Sequence, residues 1–119
     1  MAGDLVPLVL FPRYSTFAGA GDNTTIAMDV TEYQSAIVNV WRRAMLGSGT
    51  TFQVTLQEST DQDNWTDCTG GGAFDPGAGQ EVQATATLKK RWFRLKLALA
   101  GASAVVTCWA VGALEQRTN

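Results

Sequence analysis

Asp61, Asp63 and Asp67 fall in one turn-rich stretch, with Glu58 just before them and Glu81 further on. Carboxylates grouped in this way suit two chemistries. They can flank a sugar as acid and base or nucleophile, at fixed separations across a cleft. They can also share the hard oxygen ligands of a calcium ion, and the alternation Asp61-Gln62-Asp63 fits that use. The EF-hand pattern is absent, because no Gly stands at the sixth position and no Glu at the twelfth. Asp and Asn capping backbone amides in a hairpin turn is the favoured reading. Asp61, Asp63 and Asp67 therefore remain a weak calcium candidate, and no bound metal is expected. A small sheet domain without long loops builds no sugar cleft, so no catalytic residues, no enzyme activity and no cofactor are expected.

Other chemistries lack their side chains. The chain has no histidine, which removes imidazole proton shuttles and the commonest zinc ligand. Cys68 and Cys108 lie far apart without C-x-x-C spacing. Two reduced, buried thiols are favoured over a cross-sheet disulfide with Trp65 or Trp109 packed on it. Gly19-Ala20-Gly21 and Gly70-Gly71-Gly72 are not followed by Lys-Ser/Thr and read as loops, not phosphate cradles. Trp41, Trp65, Trp92 and Trp109 admit a sugar-stacking role. Trp41 beside Arg42 and Arg43, and Trp92 alternating with Arg94 and Lys96, are the two candidates for an outer face.

The elements that must position these groups are strands. Phe52, Val54 and Leu56 alternate with Thr51, Gln53, Thr55 and Gln57, the period of two that a half-buried strand requires. The turn Ser59–Asn64 then folds the chain back through Trp65. Val82, Ala84, Ala86 and Leu88 alternate with Gln83, Thr85 and Thr87 in the same way. Phe93, Leu95, Leu97 and Leu99 oppose Trp92, Arg94 and Lys96, Gly101-Ala102-Ser103 reads as a turn, and 104–111 is an apolar run buried on both faces or covered by a partner. Ala36–Trp41 is a further strand, Leu46-Gly47-Ser48-Gly49 a loop, and Thr69–Gly79 the least ordered stretch by composition. The expected fold is all-β, an antiparallel β-sandwich of jelly-roll or immunoglobulin-like type with about seven to nine strands and little or no helix. One domain is expected over 13–114, with an extended arm or edge strand over 1–12 and a frayed tail over 115–119. Pro7 and Pro12 confine the arm to an edge.

Composition bounds the partners. The 119 residues are 45% hydrophobic and 17% charged, with a net charge of −2. That balance argues against nucleic-acid binding, which needs a broad basic surface. The low charged fraction fits a surface partly covered by a partner. Lys89, Lys90, Arg91, Arg94 and Lys96 cluster, as do Glu58, Asp61, Asp63 and Asp67. A solvated strand face and a solvated turn are the favoured reading, and complementary patches between neighbouring subunits the alternative. No signal peptide or bilayer-spanning segment is recognised in Leu5–Phe11, so no membrane partner is expected, and the product is expected to be made and kept in a cytoplasm until something assembles or lyses.

Two segments carry a resemblance. Glu58-Ser59-Thr60-Asp61-Gln62-Asp63-Asn64-Trp65-Thr66 and Arg91-Trp92-Phe93-Arg94-Leu95-Lys96-Leu97 resemble a hairpin and a later strand of small β-sandwich domains. Such domains occur in discoidin-like carbohydrate-binding modules and in short structural proteins of tailed bacteriophages. The chain length and internal cysteines fit the phage group better. The resemblance implies a virion protein, foremost a capsid decoration (cement) protein, working as a trimer or other symmetric homo-oligomer on the major capsid protein or another virion protein. The expected contacts are Leu5, Val6, Leu8 and Leu10 of the arm with Trp92, Arg94 and Lys96 of a strand face. A carbohydrate-binding module on a virion or cell surface is the alternative.

Overall fold

The computed structural model describes residues 4–118. The first three residues of the expected arm, and Asn119 of the expected tail, lie outside the described residues. The described chain is all-β, with β1 (Leu5–Ala18), β2 (Gly21–Thr24), β3 (Met28–Asp29), β4 (Tyr33–Arg42), β5 (Leu46–Ser59), β6 (Thr66–Asp67), β7 (Glu81–Thr87) and β8 (Trp92–Gln116). They form one hydrogen-bonded antiparallel sheet.

The long strand β8 is the axis of that sheet. Along one edge run β1, β2 and β3, from Leu5 opposite Glu115 to Asp29 opposite Trp92. Along the other run β4 and β5, from Tyr33 opposite Gln116 to Ser59 opposite Trp92. β7 extends the sheet beyond β4, and the two-residue β6 extends it beyond β5. Both ends of β8 meet the same short segment: Val30 N–H donates to Arg91 O at 2.7 Å and Arg117 N–H to Glu32 O at 2.9 Å. The three-track ribbon is therefore doubled back on itself, and the sheet curls around its core.

The fold line crosses all three tracks at glycine-bearing triplets: Gly19-Ala20-Gly21, Gly47-Ser48-Gly49 and Gly101-Ala102-Ser103. Expected as turns or loops, the last two do not reverse the chain; β5 and β8 continue through them. At Gly101 φ is +118°, and a Cβ there would stand 2.7 Å from Thr50 Cα. At Gly47 φ is +105°, and a Cβ would stand 2.8 Å from Ser103 O. Only glycine allows the two backbones to bend against each other this closely. Ser103, at φ +55°, completes the irregularity in β8. Its consequence is a switch of phase. Before the bend Phe93, Leu95, Leu97 and Leu99 are buried; after it Ala104, Val106, Cys108 and Ala110 are. The extra residue of a bulge flips later side chains to the opposite face, which keeps both halves of β8 turned inward on a folded ribbon.

The concave side holds Phe52, Val54 and Leu56 of β5, Ala36, Val38 and Val40 of β4, Ala86 of β7, and Leu10 and Phe11 of β1, together with the β8 rows. Each buried Leu or Phe contributes about 1.5–3 kcal/mol. An exposed ion pair such as Arg91–Asp29 is screened by solvent and contributes little, so the concave face holds the fold. The expected inward set of β7 is only half-sealed: Ala86 and Leu88 are buried, Val82 and Ala84 half-buried. Residues 69–79 are well tied, contrary to their composition. Val54 N–H donates to Phe74 O at 2.8 Å, Leu56 N–H to Gly71 O at 2.9 Å, and Gly79 N–H to Arg42 O at 2.8 Å. Beyond the short β6, the edge of β5 would leave buried amides unpaired, and this segment takes them.

Candidate functional site

The outward face of the half built from β1, β8, β4 and β7 can be written as rows from the registers. Pro7, Ala113, Ile37 and Thr85 form one row; Val9, Val111, Asn39 and Gln83 the next; Trp109, Trp41 and Glu81 the third. The β1–β8 side of this face is apolar and the β7 side polar. Leu5 and Val9 are 57% and 64% exposed, so the apolar rows open to solvent. Leu5, Pro7, Val9, Ile37 and Val111 line a shallow groove there. Gly112 lets β4 approach this floor, since a side chain at that position would run into the Ile37 carbonyl.

The third row ends in a bulge. Phe11 pairs with Ala110 and Ser15 with Cys108, which leaves Pro12, Arg13 and Tyr14 opposite Trp109 alone. Ser15 Oγ closes the bulge on Pro12 O at 2.6 Å, and Tyr14 takes a positive φ of 61°. Bulges re-aim side chains, and here they aim two at one indole. The Arg13 guanidinium lies 4.5 Å from the Trp109 ring centroid. Tyr14 meets Trp109 edge-on at 5.5 Å and Trp41 at 6.1 Å. Trp41 and Trp109, cross-strand partners, stack at 4.3 Å with 15° between their planes. Arg43 reaches 6.0 Å from the Tyr14 ring. Arg42 points the other way, toward Phe52, and forks onto Asp75 at 2.7 and 3.0 Å.

Trp109 is 8% exposed, covered by this cluster and not by the main core, and its Nε1–H is buried without an acceptor. An orphaned buried donor costs about 1–3 kcal/mol. Burial of the ring, its stacking on Trp41 and the cation–π contact with Arg13 offset that cost, and the donor itself stays unused.

The sequence-derived residues fall into separate places. Leu5 is exposed, Val6 and Leu8 half-buried, and Leu10 buried in the core. Leu10 is thus a core contact of its own chain, because β1 turns its even side chains inward before the bulge. Trp92, Arg94 and Lys96 lie on the outward side of the other half of β8, paired with β5 and β2–β3. Arg94 sits 4.2 Å over Trp65 and its Nε donates to Gln57 Oε1 at 2.9 Å. Burial pulls the Arg94 pKa down, opposed by the Asp22 charge. Lys96 pairs with Asp22 at 3.5 Å, and Arg91 packs over Trp92 at 4.9 Å. The registers do not bring these three beside the β1 residues.

The acidic turn is a capping structure. Asp61 accepts from the N–H groups of Asn64 and Asp63 at 2.8 and 2.9 Å, from the Asn64 amide at 2.9 Å and from the Ser59 hydroxyl at 2.9 Å. These bonds hold its carboxyl well below the ordinary value. No group of three acidic, cysteine or histidine side chains able to hold a metal occurs among the described residues. Glu58 is buried and accepts from Lys89 N–H at 2.9 Å, and Lys90 Nζ donates to Thr66 Oγ1 at 3.0 Å. The two clusters thus touch within one chain through a main-chain amide and a hydroxyl, not through an ion pair. Cys68 and Cys108 are free and buried, and burial first of all raises their thiols to about 12 and about 11. They are poor nucleophiles.

Reading the sequence offered Trp41, with Arg42 and Arg43 beside it, as a candidate for an outer face, but missed Arg13, Tyr14 and Trp109 as partners; Arg42 turns away from that face. Alternation along 104–111 sets Trp109 opposite in phase to Cys108 and Ala110, a signal for the outer face. No family model matches the chain, and no curated protein or solved structure matches it.

Proposed function

We propose that the chain is a non-enzymatic virion structural protein of a tailed phage, a capsid decoration protein that docks through the outward face of β1, β8 and β4. The curled sheet, closed over its core as a two-layer sandwich, is the rigid support. One observation carries the reading: the rows Pro7–Ala113–Ile37 and Val9–Val111 put apolar side chains on a solvent-facing sheet surface, with Leu5 and Val9 more than half exposed. Contiguous apolar surface of this kind marks interaction sites. Many copies in a symmetric set, a trimer on the major capsid protein in this reading, turn modest contacts into strong retention.

The test is a double substitution, Leu5→Glu with Val9→Glu. Both side chains are exposed, so the far-ultraviolet circular dichroism stays unchanged while co-sedimentation with particles is lost. Removing 1–11 is a poorer test, because Leu10 and Phe11 are core residues. Full occupancy by the double variant would refute the reading. Carbohydrate binding is the second reading, resting on Trp41 and Trp92, each half-buried on an outward face. A saturable change of tryptophan emission with a neutral glycan panel would support it, and a flat response would dismiss it.

A further inference from the structure

The cluster around Trp109 carries donors that the fold itself does not use. The indole N–H is buried and unpaired. Arg42, Arg91 and Lys96 each have a carboxylate partner, whereas Arg13 and Arg43 have none among the described residues. The carboxylate of the same row, Glu81, lies across Trp41 from Trp109 and the bulge, and it forms no ion pair among the described residues.

We propose that Arg13, Arg43 and Trp109 form a binding site for a side-chain carboxylate on an acidic segment of a partner protein. The indole N–H has no accessible surface as it stands, so the exposed Arg13 side chain moves aside for it to donate, together with the guanidinium, to the carboxylate oxygens; Arg43 supplies the second charge, and Tyr14 and Trp41 wall the site. The chemistry selects the ligand. A cation is repelled by two arginines. A neutral sugar gives the indole an acceptor but leaves both guanidinium groups unmatched. A carboxylate meets all three, with the fork geometry that Arg42 already adopts on Asp75. A protein is favoured over a nucleic acid by the neighbouring surface. Val9, Val111 and Ile37 offer apolar contact that suits a peptide's other side chains, and the chain's net charge is −2. This rests on the reading of the outward face as a docking surface and names what one end of it grips.

The probe is a fluorescein-labelled hexaglutamate peptide, followed by anisotropy with the full chain. Saturable binding is expected, weakened by salt and absent for hexaglutamine. Arg13→Gln with Arg43→Gln should weaken it about ten-fold or more. Trp109→Phe, which keeps a ring but removes the donor, should weaken it by a smaller factor with unchanged circular dichroism; if that variant misfolds, the arginine pair still decides. Equal binding of hexaglutamine, insensitivity to the arginine substitutions, or tighter binding of a labelled oligothymidylate overturns the proposal. So does self-association of the chain that disappears in Asp63→Asn with Asp67→Asn, because the occupant is then a second copy. The two readings fail separately. If Leu5→Glu with Val9→Glu abolishes particle binding while hexaglutamate does not bind, only the carboxylate site falls. If hexaglutamate binds but the double variant stays on particles, the docking face falls.

Discussion

Replacing Gly101 by alanine tests the fold line where the three tracks bend together. The residue has φ +118°, and a Cβ would stand 2.7 Å from Thr50 Cα, 2.9 Å from Ser48 O and 3.0 Å from Gly49 O. All three neighbours are backbone atoms, which cannot swing aside as a side chain does. The forced backbone conformation costs about 1–3 kcal/mol. Overpacking against the β5 backbone adds about 1–3 kcal/mol. A domain of this size has a total stability of about 5–15 kcal/mol, so the variant should lose a large part of it. Gly72→Ala is the control: it has no positive φ and nothing within 4 Å of its Cβ position. Stiffening the unfolded chain there should leave stability unchanged or raise it by about 0.4–1 kcal/mol. Urea titration followed by tryptophan emission reads both. Taking mid-range values, about 4 kcal/mol over a slope of about 2 kcal/mol per molar urea, the Gly101→Ala midpoint should fall by about 2 M at constant slope. A midpoint equal to that of Gly72→Ala would refute the idea that the bend is a steric requirement.

Acid should unfold the protein through Asp61, Asp29, Asp75 and Glu115, whose carboxyls all lie below their ordinary values. Their contribution is complete above the unfolded values, about pH 4, and is lost as pH falls through the folded ones. Asp61→Asn should flatten the fall of Tm in that acid range. At the alkaline end the sign reverses for the thiols: Cys68 and Cys108 titrate near 12 and 11, so their contribution is present below about pH 8.5 and lost as pH rises. At pH 8 neither thiol should react with a disulfide reagent until denaturant is added. Glu58→Ala, which leaves the Lys89 N–H without its acceptor, should cost about 1–3 kcal/mol in a denaturation experiment, while Glu58→Gln keeps the acceptor and should cost little.

What the sequence reveals of the fold is what depends on period. Phe93 to Leu99 and Phe52 to Leu56 announce half-buried strands, and the buried residues follow that alternation. What it hides is direction. Gly101-Ala102-Ser103 signals an unusual backbone, but the same residues serve a reversal or a bend, and only the flanking β5 backbone settles which. The site is hidden for a related reason. Trp41 and Trp109 become neighbours through the β4–β8 register, and Arg13 and Tyr14 reach them through extra residues in β1 whose bulge has no local signature beyond Pro12. The Asp61 turn was legible because its hydrogen bonds are local.

The strand that serves as axis is also the one that emerges after every strand it pairs with. During synthesis at about 5–20 residues per second, two lengthy extended tracks must wait for a complement that the ribosome has yet to deliver. Distant pairing of this kind folds slowly, on the order of milliseconds to seconds, and exposes unpaired edges in the meantime. A nascent chain arrested at residue 91 should therefore be digested readily by protease. One extended past residue 116 should gain protection in a single step.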